Sequence, residues 1–297
     1  MFAGAWSALV TPFCKEKGLI DYNAVRNLLV RQIEGGIDGV VIGGTTGESP
    51  TLSQKELMSL IDFAVKEGGR ELSIMAGTGT NSTEKTIQYT KMAKDYGAKG
   101  ALVIVPYYNK PTDRGVIRHF EELSKLNFPL MVYHHPGRTG VFLSSSTLAQ
   151  LSEIDAVVGI KEASGAPGFT KEILLLNPGA CILSGDDELA IETIKNGAVG
   201  SISIIANLYP AVWKKIIDFA VSGEGEKAKS LYSEIEMVIK AILLEVNPQG
   251  IKCALAVEGF IEEVLRLPLV SVEEVTRNEI KKSLIGVLKN RVFSETC

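Results

Sequence analysis

The chain has 297 residues, 45% of them hydrophobic and 22% charged, enough for one large domain with or without an appendage. A formal net charge of −4 gives no general attraction to nucleic acid or an anionic membrane surface, and no apolar run approaches the roughly 18 residues of a membrane span. Cys14, Cys181, Cys253 and Cys297 lie scattered without zinc or disulfide-framework spacing, and Met1–Phe13 lacks a basic leader region, so a reducing cytoplasm is expected.

Short apolar runs alternate with longer amphipathic segments, and the alternation repeats eight times. Strands are predicted at Trp6–Val10, Gly39–Ile42, Leu72–Ala76, Ala101–Val105, Leu130–Tyr133, Val157–Lys161, Cys181–Leu183 and Ser201–Ile205. Their spacing leaves room for one helix after each strand. Ser53-Gln-Lys-Glu56 is a capping box ahead of Leu57, Leu60, Ile61 and Ala64, and Gly68-Gly69 ends that helix. Asn81-Ser82 opens the next helix and Gly97 closes it.

Eight such units with continuously apolar strands predict an α/β fold, a closed (β/α)8 TIM barrel over residues 1–224. The rival is an open doubly wound sheet. Its nearest signal, Gly77-Thr-Gly79, lacks a third glycine and a later ribose-binding acid. After Gly223-Glu-Gly225 the strand signal stops. Helices at 226–246, 250–266 and 271–291 predict a three-helix domain over 225–297, suited to packing or assembly.

Catalytic groups of such a barrel come from the C-terminal strand ends. Lys161 closes an apolar strand. A desolvated lysine loses its proton easily and becomes an amine nucleophile for keto substrates, although a strand-end lysine also snorkels to solvent or pairs with a neighbour such as Glu162. Tyr133 ends the preceding strand, either as a proton-transfer phenol or as a packed aromatic. Gly43-Gly-Thr-Thr-Gly-Glu-Ser49 offers backbone N–H groups and hydroxyls for a small carboxylate, or is simply a tight turn. Arg138, on a loop, is either a carboxylate clamp or a solvated cation. His134 and His135 resemble metal ligands, but adjacent strand residues face opposite ways and do not chelate one ion, so no metal is expected.

These segments, with the Ala8-Leu-Val-Thr-Pro-Phe13 opening, Ala76-Gly-Thr-Gly79, Pro106-Tyr-Tyr-Asn-Lys-Pro111, Pro136-Gly-Arg-Thr-Gly140, Gly159-Ile-Lys-Glu162 and Ser184-Gly-Asp-Asp187, run almost end to end. On them the chain resembles the dihydrodipicolinate synthase family of class I pyruvate-dependent aldolases. The glycine-rich loop and the Tyr133/Lys161 pairing mark the superfamily, which includes N-acetylneuraminate lyase. Arg138 and the double tyrosine narrow it.

The resemblance implies a cofactor-free lyase that condenses pyruvate with L-aspartate 4-semialdehyde in diaminopimelate and lysine biosynthesis. The alternatives are a sister aldolase acting on N-acetylneuraminate or a 2-keto-3-deoxy sugar acid, and a non-catalytic barrel that binds a keto acid. The resemblance implies Lys161 as the Schiff-base lysine and Tyr133 as proton donor and acceptor. Thr45 and Tyr108 would join Tyr133 in a relay, with Tyr108 arriving from a neighbouring subunit of a homotetramer built as a dimer of dimers. Thr46 would bind the pyruvate carboxylate near the Ile202 backbone, and Arg138 the carboxylate of the semialdehyde.

Three departures from the family pattern stand out. His134 and His135 replace an asparagine and a β-branched residue. Asn247-Pro-Gln-Gly-Ile-Lys252 has Gly250 where the family has a second proline. Gln54 and Lys85 stand where lysine-inhibited members carry a histidine and a glutamate, Glu84 falling one residue early and Pro50 altering the loop. Weak or absent inhibition by lysine is therefore expected, because Lys85 would repel the inhibitor's ammonium.

Overall fold

The computed structural model describes residues 2–16 and 18–294; of the four cysteines, Cys297 lies outside the described residues. The strands are β1 (Gly4–Ala8), β2 (Gly39–Ile42), β3 (Ser73–Gly77), β4 (Gly100–Ile104), β5 (Leu130–His134), β6 (Val157–Glu162), β7 (Ile182–Ser184) and β8 (Gly200–Ser203). Each pairs in parallel with the next, and β8 closes on β1. The closed barrel is the predicted one, and the open sheet is excluded.

Two apolar layers hold it. Phe2, Trp6, Met75, Met131, Leu183 and Ile202 belong to the cluster that fills the barrel. A second, larger cluster joins outward strand residues such as Val40, Ile74 and Val132 to the surrounding helices and to the helical region beyond residue 224. Strands buried on both faces read as continuous apolar runs, which is why the sequence shows them.

Helix punctuation also follows the sequence. Helix Gln54–Gly68 carries the Ser53/Glu56 capping box and ends at Gly69; helix Thr83–Asp95 starts from Ser82.

Three elements differ from expectation. β1 stops at Ala8, because the Asn207 side chain takes over the edge: its amide donates to the Ala8 carbonyl at 2.8 Å and its oxygen accepts from Val10 N–H at 3.0 Å. The helix predicted over 250–266 is Gln249–Val257; Gly259, at φ +78°, turns the chain out of it. Arg138 lies in a one-turn helix, Pro136–Thr139, in place of an irregular loop. The other two tail helices are Gly225–Ile242 and Glu274–Ser294. Between the first of them and Gln249, residues 243–248 run across the barrel mouth.

Gly250 has a packing reason. A Cβ there would stand 2.1 Å from the Ile242 carbonyl oxygen, so no side chain fits while the two helix ends abut this closely.

Candidate active site

Parallel pairing of β5 with β6 places Tyr133 directly beside Lys161, both pointing into the barrel mouth. Lys161 is 6% exposed and its Nζ lies 4.3 Å from the centre of the Tyr133 ring. Burial pushes the ammonium down to about 8; the carboxylates of Asp186 and Asp187 oppose this, and the Arg138 charge adds to it. Lys161 therefore neither snorkels nor pairs with Glu162. Glu162 points the other way, accepting from His134 Nδ1 at 3.1 Å and Ser164 N–H at 2.8 Å. His134 Nε2 in turn accepts Leu143 N–H at 3.2 Å, which leaves the ring proton on Nδ1.

Burial pushes the Tyr133 phenol up to about 12, while its hydrogen bond with Thr45 and the nearby Arg138 charge pull the other way. Gly185, next to this pair, is required: a Cβ would meet Lys161 Cε at 2.9 Å and Ala163 Cβ at 2.6 Å.

A cavity of about 350 Å³ opens on the pair, lined by Thr46, Tyr133, Lys161, Arg138, His135 and Asp186, and closed on one side by residues 243–247. Thr45 lines a smaller space on the other side of Tyr133, with Gly43, Gly44 and Gly77. The glycine-rich loop is a turn and also a wall of the cavity: Gly47 and Ser49 N–H groups return to the Gly44 carbonyl at 3.1 and 3.3 Å. The space thus has the Lys161 amine and the Tyr133 phenol on its wall and the exposed Arg138 cation at its rim.

Two residues named by the resemblance do not line this cavity with their side chains, and the roles it implies for them, a Tyr108 from a neighbouring subunit and the backbone of Ile202, do not call for that. Tyr108 is 86% exposed at a φ of +72° and does not line the cavity of its own chain. The Ile202 side chain belongs to the barrel interior, and Ile204 is the residue of that segment lining the cavity.

Three residues without an expected role do line it. Asn247 donates to Thr46 Oγ1 at 2.9 Å and accepts at its carbonyl from Arg138 at 3.4 Å. Asp186 has its carboxyl raised by burial, with Lys161 opposing. His135 faces the cavity, edge-on to Tyr133 with ring centres 5.8 Å apart; burial and the Arg138 and Lys161 charges hold it down to about 4, so it is neutral. The Asn247 motif is visible in the sequence, but which cavity it reaches is not. The two histidines do face opposite ways. Among the described residues no three His, Cys, Asp or Glu side chains gather as a metal site, and no helix is long and apolar enough to cross a membrane.

The dihydrodipicolinate synthetase family model matches residues 1–286. The 4-hydroxy-tetrahydrodipicolinate synthase of Hydrogenobaculum sp. is 38% identical over 96% of this chain and 98% of its own length. Among solved structures, the synthase from Methylacidiphilum fumariolicum SolV superposes with a TM-score of 0.96 at 35% identity, covering 100% of this chain and 99% of that one. The dihydrodipicolinate synthase from Acinetobacter baumannii, solved in complex with pyruvate, gives a TM-score of 0.94 at 38% identity, over 97% of this chain and 99% of its own.

Proposed function

Because this chain belongs to the dihydrodipicolinate synthetase family, we propose that it is a 4-hydroxy-tetrahydrodipicolinate synthase, condensing pyruvate with L-aspartate 4-semialdehyde on the way to diaminopimelate and lysine. The observation that carries this reading is the buried, easily deprotonated amine of Lys161 against the ring of Tyr133. The relative solved with pyruvate supports the first substrate.

Lys161 attacks C2 of pyruvate and water leaves, giving a protonated imine. Tyr133 then passes a proton from the methyl carbon, with Thr45 as its hydrogen-bonded partner, and an enamine results. The enamine carbon attacks the aldehyde carbon of the semialdehyde, and Tyr133 returns a proton to the new alkoxide. The substrate's own amino group attacks C2, closing the ring and expelling the Lys161 amine. The protonated imine is the electron sink, so the chemistry needs neither metal nor organic cofactor.

Thr46 and the backbone near Ile202 hold the pyruvate carboxylate, and Arg138 holds that of the semialdehyde. Tyr108, turned outward in its own chain, completes the relay of a neighbouring subunit in a dimer of dimers. Residues 1–224 form the catalytic barrel and 225–297 the helical domain, and the enzyme acts in the cytoplasm.

A coupled assay tests this. The wild type should turn over pyruvate with aspartate semialdehyde and release no pyruvate from N-acetylneuraminate or a 2-keto-3-deoxy sugar acid. Arg138→Ala should lower kcat/KM for the semialdehyde by about 10²-fold, the loss of a charge-assisted carboxylate contact of about 3 kcal/mol. Retro-aldol release alone would assign the sister activity, and pyruvate binding without turnover the keto-acid-binding barrel.

A further inference from the structure

The glycine-rich loop is tied to the helical region by groups that none of the chemistry above uses. Glu48, in that loop, is 1% exposed and holds a left-handed φ of +55°, a conformation that non-glycine residues keep only when their surroundings impose it. Both of its carboxylate oxygens are occupied from beyond residue 250. Oε1 is paired with Nζ of Lys252, on helix Gln249–Val257, and Oε2 accepts Arg266 N–H at 3.0 Å. Lys252 is fully buried; its ammonium also donates to the Val264 carbonyl at 2.8 Å and stands 4.4 Å from the centre of the Phe13 ring. The Arg266 guanidinium reaches Glu56 at 2.5 Å and the carbonyls of Gly18 and Thr51 at 2.8 and 2.9 Å.

The same short segment makes a second attachment, five residues before Lys252, where Asn247 donates to Thr46 Oγ1 at 2.9 Å. Two pins from residues 247–252 thus hold this loop at Thr46, which lines the cavity, and at Glu48, just beyond the Thr45 that meets Tyr133. A buried ion pair adds little net stability compared with an apolar pair of the same size, so its place in this loop calls for another account.

We infer that Lys252 is a positioning residue for the pyruvate half of the reaction: through its buried pair with Glu48 it holds the Thr45–Thr46 backbone where pyruvate is bound and its imine forms. This rests on the reading of Lys161 as the Schiff-base lysine. Arg138 meets the same segment at the Asn247 carbonyl, at 3.4 Å, but not through the Glu48–Lys252 pair, so loss of the pair bears less on the second substrate's binding than on pyruvate's.

Removing one partner leaves a buried charge and endangers folding, so the decisive variant is the neutral pair, Glu48→Gln with Lys252→Met. The apparent Kd for pyruvate is read from the borohydride-trapped fraction, and both KM values from the coupled assay, per folded active site. The neutral pair should weaken pyruvate binding and imine formation by about 10- to 100-fold, the scale on which a misplacement near 1 Å acts, while KM for aspartate semialdehyde moves less than about twofold. Pyruvate binding equal to wild type, or equal losses for both substrates, would overturn the inference.

The unsubstituted enzyme gives a second measurement that needs no variant. Hydrogen exchange at residues 43–49 and 247–252 should slow together when pyruvate is trapped. Protection confined to 43–49 would also overturn the inference. A wild type that traps no pyruvate would instead strike the reading of Lys161 itself.

Discussion

The burial of Lys161 sets the pH at which the amine becomes reactive, and this can be measured. An ordinary lysine side chain, at 10.5, is about 0.03% free base at pH 7, whereas one held near 8 is about 9% free base, a gain of roughly 300-fold in nucleophile. The difference corresponds to about 3 kcal/mol between charged and neutral forms, and burial is its first cause. Only the neutral amine attacks. Imine formation with pyruvate, followed by rapid quenching into borohydride and intact-protein mass, should rise about tenfold per pH unit below 8 and flatten above it. The Tyr133 phenol, pushed up to about 12, stays protonated throughout and adds no second inflection. Asp186→Asn removes a carboxylate that favours the ammonium, so the inflection should move to lower pH. A rate still climbing tenfold per unit at about pH 9.5 would refute the reasoning, since the amine would then titrate as in water.

Three further outcomes follow from the same contacts. Tyr108→Phe should lower turnover by about 10²-fold, and dilution to monomer, followed by sedimentation at assay concentration, should do at least as much; a fully active monomer would contradict the shared relay. Submillimolar L-lysine should leave the rate almost unchanged, because the resemblance aligns Lys85 with the glutamate of lysine-inhibited members, and Lys85→Glu should create inhibition. His119, 4% exposed, with Nδ1 on Thr83 at 2.9 Å, is held down to about 4 by burial. Its folded-state value lies below the unfolded one, so its contribution is complete above about pH 6.5 and is lost as pH falls toward 4. Lowering the pH from 7 to 5 should cost about 2 kcal/mol through this group, and His119→Gln should shrink that loss in a pH series of denaturant unfolding.

The barrel was legible because its strands are buried on both faces and several of the helices between them carry their own punctuation. Ser53 with Glu56, and Ser82, each cap by contacts within three residues, which local sequence contains. The end of β1 was not, because a side chain 199 residues away from Ala8 closes it. Strand order makes Tyr133 and Lys161 the ends of adjacent strands, so the centre of the site was legible, although the register that pairs them, with its irregularity at Leu130/Met131, was not. The far wall of the site was not legible either. Asn247 meets Thr46 across 201 residues, and Lys252 meets Glu48 across 204; neither spacing leaves a periodic trace. In the sequence Gly250 is only a missing proline; its reason, the Ile242 carbonyl standing where a side chain would be, belongs to the packing of two helix ends. His134 and His135 are separated by strand geometry as expected. The buried partners of His134, Glu162 and the Leu143 N–H, depend on how the following loop folds back.

The central claim is that Lys161 forms the covalent intermediate with pyruvate. Incubation of the enzyme with pyruvate and borohydride, followed by peptide mapping, tests it most directly. The account predicts one stable adduct per chain, on the peptide carrying Lys161, and none after Lys161→Ala. An adduct on another lysine such as Lys252, or no adduct in a folded enzyme that still makes product, would contradict it.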